Sequence, residues 1–176
     1  MAEIRSIAQL GHPILRHIAQ PIQNFENPLL QGLIEDLLEI AQSSNGVGIA
    51  APQVSESLRL FIVASRPNPR YPTAPVMTPT AMLNPRLIAF SSPRVKGWEG
   101  CLSVPDKRGL VPRYKEIEVE YFDRLGNLQR RVLTDFVARI FQHELDHLDG
   151  KVFLDRLESS EDLYTEEEYM AITAIK

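Results

Sequence analysis

The chain has a single cysteine, Cys101, which excludes an internal disulfide, and nothing in the sequence asks for an oxidising compartment. No stretch approaches the roughly 20 apolar residues of a membrane span. The first residues, MAEIRSIAQLGHPIL, lack the apolar run and small-residue cleavage site of a signal peptide. No transit peptide, internal repeat or low-complexity block is visible, so a cytoplasmic protein is expected. Basic residues are outnumbered, 19 against 23 acidic, and no Lys/Arg block stands out, which argues against direct nucleic-acid binding. Lys107, Arg108, Arg113 and Lys115 come nearest to a basic patch, and Asp106 and Glu116 flank them. With 176 residues, 44% hydrophobic, the chain suits one catalytic domain over 1–176 with a sizeable core.

Apolar residues recur at helical spacing over 28–42, with Asn27 as N-cap and Pro28 at the first helical position. A strand is expected over 58–64. Five prolines within 67–79 make that stretch a surface loop. A strand over 82–90 should break near Pro85. Strands at 117–122 and 128–133 flank a glycine-containing turn and read as a hairpin. A second helix runs from Thr134 or Asp135 to Asp149, capped by Thr134 and closed by Gly150. Thr165 and Glu168 have capping-box spacing for a last short helix. Strands fill the middle and helices the ends without regular alternation, so the class is α+β.

The second helix contains His143-Glu144-Leu145-Asp146-His147. Histidines four residues apart leave one helix face together and can share one divalent ion. Glu144, beside the first of them, can reach a water at that ion without ligating it. Phe136 and Ile140 extend the same face as an apolar wall. Two such histidines can also be ordinary core or surface residues, but a third ligand candidate exists. A catalytic site needs three protein ligands and an open position. No histidine follows His147, so a third histidine downstream is impossible; the candidate is Cys101, in Glu99-Gly100-Cys101-Leu102-Ser103-Val104-Pro105. A lone cysteine is often an inert core residue. Here Gly100 and Pro105 argue against a regular strand, and two imidazoles with a thiolate suit zinc or ferrous iron.

Three segments carry a resemblance to the peptide deformylase family. They are Gly46-Val47-Gly48-Ile49-Ala50-Ala51-Pro52-Gln53, Glu99-Gly100-Cys101-Leu102-Ser103, and Gln142-His143-Glu144-Leu145-Asp146-His147-Leu148-Asp149-Gly150, in family order. Gly11-His12-Pro13-Ile14-Leu15-Arg16 resembles the family's N-terminal segment. Arg139-Ile140 is similar to the eukaryotic organellar branch and its bacterial relatives. The resemblance implies antiparallel β-sheets packed around a central helix bearing the two histidines. It implies Cys101, His143 and His147 as metal ligands, and Glu144 as general base and then acid. Gln53 and the Leu102 N–H would meet the oxyanion. Gly48 would bond the extended peptide, Val47 would line the methionine pocket, and Arg108 would lie near the substrate; the plain alternative for Arg108 is a solvated surface arginine. The implied cofactor is one divalent ion, natively Fe(II), with Zn, Ni or Co able to replace it. The implied partners are N-formyl-methionyl nascent peptides, met at the ribosome, with no membrane involved. No motif claims the proline-rich loop or the C-terminal tail.

Two other readings compete. A His-Glu-x-x-His metalloprotease would need a downstream carboxylate ligand, for which Glu158, Glu161 and Asp162 are available. A non-catalytic protein with a structural metal would need a fourth ligand, here a carboxylate. The metalloprotease reading leaves the Cys101 and Gly46–Gln53 segments unexplained.

Overall fold

Asn27 accepts the Leu29 N–H at 3.0 Å and Pro28 fills the first helical position, so the first helix starts where its local chemistry directs. In the computed structural model, which describes residues 5–91 and 93–174, this helix is α1, Pro28–Ser43. Its apolar face, Leu30, Leu33, Ile34, Leu37 and Ala41, is buried against Ile49, Leu60 and Ile62. Each of the leucines and the isoleucine, fully buried, contributes about 1.5–3 kcal/mol before entropy is counted.

The strands follow as β1 (Gly48–Ala50), β2 (Leu60–Val63), β3 (Thr80–Phe90), β4 (Arg94–Cys101), β5 (Val104–Tyr114), β6 (Glu116–Phe122) and β7 (Leu128–Thr134). Helix α2 (Asp135–Leu148), strand β8 (Leu163–Thr165) and helix α3 (Glu166–Thr173) complete the order. Among the described residues one sheet has five strands in the order β1-β2-β3-β6-β7, and a second has three in the order β4-β5-β8. All these pairings are antiparallel, and the protein is α+β with three α-helices. No described helix is long and apolar enough to cross a membrane.

Helix α2 lies against the large sheet. Phe141 meets Phe61 of β2 edge-on at 5.2 Å, and Ala138, Ile140 and Leu148 join the same buried cluster. Gly150 closes the helix at φ +74°, and an added Cβ there would lie 2.6 Å from the Arg16 carbonyl, so only glycine suits. Thr134 is the N-cap by backbone position, but its side chain makes no capping bond. The Asp135 N–H is instead taken by the Lys115 carbonyl at 2.8 Å. At α3 the Thr165–Glu168 capping box is reciprocal, at 3.2 and 3.1 Å.

Two local expectations fail for related reasons. Strand β3 does not stop at Pro85; its register against β6 shifts between Leu83 and Arg86, with Asn84 at φ 48°. A bulge leaves the proline where the ladder needs no N–H. Gly100 and Pro105 likewise sit inside strands. β4 ends in Cys101, β5 begins at Val104, and these two residues pair across a two-residue turn. The register slips at Gly100, where an added Cβ would lie 2.6 Å from the Arg108 guanidinium carbon.

Candidate metal centre

Cys101 reaches the site from the end of β4, and His143 and His147 from successive turns of α2. One ligand atom from each lies within 4.8 Å of the other two. His147 Nε2 is 3.3 Å from Cys101 Sγ. His143 Nδ1 is held at 2.8 Å by Glu99, which fixes the ring and leaves Nε2 for an ion. Burial works against ionising Cys101, but the His147 and His143 rings outweigh it and hold the thiol well below its usual range. Sulfur and two imidazoles on rigid elements fit a divalent ion, and a three-ligand set leaves a position open.

Glu144 is 4% exposed, and its Oε2 is buried without a protein partner. Burial pushes its carboxyl up to about 7 against the pull of both imidazoles. Its Oε1 lies where a side chain at Gly48 would stand: a Cβ there would be 2.7 Å away. That close approach, rather than a turn, explains the glycine.

Gln53 stands in the single helical turn Ala51–Val54 that follows β1. Its Oε1 accepts the Ala50 N–H at 2.9 Å, which turns Nε2 toward Ser103 Oγ at 3.1 Å and Cys101 Sγ at 3.4 Å. One cavity is lined by Val47, Gly48, Gln53, Cys101, Leu102, Arg108, His143 and Glu144, eight of the nine residues singled out from the sequence. The ninth, His147, is buried beside the Cys101 sulfur. Phe136, Ile140, Tyr71 and Trp98 give this cavity apolar walls.

The sequence reading missed Glu99. Its carboxylate takes Arg113 at 2.9 Å, Arg139 at 2.8 Å and His143 at 2.8 Å. Burial alone would raise its pKa, but Arg113 and His143 hold it well below the usual carboxylate range. An acidic residue two positions before the cysteine ligand candidate was the available signal. The plain alternative for Arg108, a solvated surface arginine, does not hold. Arg108 and Arg113 are not solvated but 2% and 5% exposed; Arg108 pairs with Glu166, Arg113 with Glu99 and Asp146. An exposed basic patch therefore does not form from them.

The family profile described as Polypeptide deformylase matches residues 4–162. The chain belongs to that family. Peptide deformylase 2 of Nostoc sp. is 61% identical over 170 residues, covering 97% of this chain and 95% of that protein. The class I type b peptide deformylase of Acinetobacter baumannii, in a crystal structure with Met-Ala-Ser bound, superposes with a TM-score of 0.87 at 45% identity, covering 89% of this chain and 100% of that one. The deformylase of Thermotoga maritima gives 0.79 at 33% identity, over 89% and 99% of the two chains. Deformylase activity is metal-dependent removal of the formyl group from polypeptide N-termini, and this is the reaction of the present chain. The metalloprotease and structural-metal readings are not favoured.

Proposed function

We propose that Cys101, His143 and His147 hold one divalent ion, Fe(II) natively and replaceable by Zn, Ni or Co, and that Glu144 moves the proton. The donor set supports this, since mixed sulfur and imidazole ligands accept all four metals. When bound, such an ion supplies Lewis acidity and brings the pKa of water toward about 7. Glu144 takes the proton from the attacking water and later delivers it to the departing amine, leaving formate and a free N-terminus. Its buried, partnerless Oε2 and its raised pKa suit both halves of that exchange. Gln53 Nε2 and the Leu102 N–H donate to the formyl oxygen as charge builds there. Losing one such donor typically costs about 2.7–4 kcal/mol of barrier.

Strand β1 is an edge strand. The formyl-methionyl peptide pairs with it at Gly48, as an extended chain adds to a free sheet edge. The methionine side chain enters between Val47, Phe136 and Ile140, while Arg108 lies beside the peptide beyond it. Residues 1–176 act as one catalytic domain, with α2 as the central helix between the sheets. The substrates are nascent chains in the cytoplasm, met at the ribosome.

A single observation carries this reading: three ligand atoms of the right chemistry converge beside a buried, unpaired carboxyl group. The decisive experiment is anaerobic formate release from formyl-Met-Ala-Ser, with metal analysis of the same sample. Formate in proportion to bound iron is expected. A folded, iron-loaded sample that cleaves internal peptide bonds and releases no formate would overturn it.

A further inference from the structure

The proline-rich loop and the C-terminal β8–α3 arm, which no motif claims, meet at one side chain. Arg108 is 2% exposed although it carries a full charge. Its Nε donates to Glu166 of α3 at 2.9 Å, and its Nη1 lies 3.4 Å from the Tyr71 hydroxyl of the loop. The guanidinium sits 5.2 Å over the Tyr169 ring, which itself packs edge-on against Trp98 at 5.0 Å. Gly100, having no side chain, leaves the room on β4 that the guanidinium occupies. These contacts leave one donor over: Arg108 Nη2 is buried and has no partner.

A buried charged donor without an acceptor is costly, so its persistence asks for an acceptor that arrives from outside. Arg108 lines the cavity that holds the ligand atoms. It also lines the adjoining cavity, bounded by Arg70, Cys101, Leu102, Lys107 and Glu166. Arg70, Cys101, Leu102 and Arg108 are common to both, so a peptide held at Cys101 can continue past Arg108.

We propose that Glu166 and Tyr169 are positioning residues, which lock Arg108 so that its Nη2 donates to a backbone carbonyl of the peptide beyond the formyl-methionine. The proposal rests on the deformylase reading of the groove. The C-terminal arm thereby acts on binding of longer peptides and leaves the chemical step alone. A planar guanidinium suits the task, since one edge can be anchored while the other N–H groups stay aimed.

The test compares formyl-Met-Ala-Ser with formyl-methioninamide, which ends before Arg108. For iron-loaded Glu166→Gln, KM for the tripeptide should rise about tenfold, the range of one charged hydrogen bond. Its kcat, and both constants for formyl-methioninamide, should stay within about twofold. In an Arg108→Gln background, Glu166→Gln should add nothing on the tripeptide, because residues acting as one unit are not additive. Should Glu166→Gln fail to fold, Tyr169→Leu replaces it, removing the ring under the guanidinium, with the same tripeptide-specific rise in KM expected. Equal losses on both substrates, additive losses in the double variant, or unchanged tripeptide KM would each overturn the proposal. Absence of formate from both substrates with the wild-type protein would instead be the failure of the deformylase reading.

Discussion

Two glutamates, Glu99 on β4 and Glu144 on α2, are buried to the same 4% exposure and flank the same histidine. Glu99 is surrounded by Arg113, Arg139 and His143, and those partners keep it ionised far below the ordinary carboxylate range. Glu144 has a partnerless oxygen, and burial drives it up to about 7. The difference teaches that burial alone does not assign a role. A carboxylate whose charge is fully answered holds a neighbour in place, while one left unanswered is free to exchange a proton near neutral pH.

The comparison breaks most sharply at Glu144. Glu144→Gln keeps the shape of the site, so metal content should be unchanged while kcat falls by about 10²–10⁴, the usual contribution of a general base. Formate assays with metal analysis check this, and a metal-loaded variant with normal turnover would refute the base assignment. Glu99→Gln should act on the ion rather than the proton. Metal affinity should drop about 10–100-fold, as for other groups that orient a ligand, seen by competition with a chelator. The same variant leaves Arg113 and Arg139 short of a buried counter-charge, so thermal unfolding should move clearly downward. Gly48→Ala pushes a methyl group into Glu144 Oε1 and should lower kcat with little change in metal content.

The pH dependence of stability follows from Glu99. Its pKa in the folded protein is below its ordinary value of 4.5, so its contribution is present above that pH. The contribution is lost as pH falls toward the lower folded-state value. Thermal unfolding measured from pH 6 downward should show a decline below about 4.5, and the Glu99→Gln protein should lack that part of the slope. Gly97→Ala should have the smallest effect. Its Cβ would meet the Arg139 guanidinium at 2.7 Å, but a long side chain can shift while Arg113 still holds Glu99. A modest loss of stability with near-normal turnover is expected.

Much of the site was legible because it rests on local rules. Four-residue spacing in a helical segment puts His143 and His147 on one face, and Asn27, Gly150 and Thr165–Glu168 mark helix ends by their own chemistry. Glu99 was not legible in the same way, because its three partners come from β5 and α2 and no spacing in the chain brings them together. The burial of Arg108 was not legible for the same reason, since its partner Glu166 lies 58 residues further on. Pro85, Gly100 and Pro105 read as strand breakers because a bulge is a property of two paired strands, and one strand alone does not reveal it.

From its residues alone the chain specified the candidate ligand types, the helix that carries two of them, and the family to which the chain belongs. These are determined by side-chain chemistry and by a periodicity that spans a few residues. Tertiary structure decided the rest: that the Cys101 sulfur meets the histidines, that Glu99 is neutralised while Glu144 is not, and that a C-terminal helix reaches back to Arg108. Those outcomes depend on which distant groups share a low-dielectric space, where a single absent or present partner sets the charge of an acid.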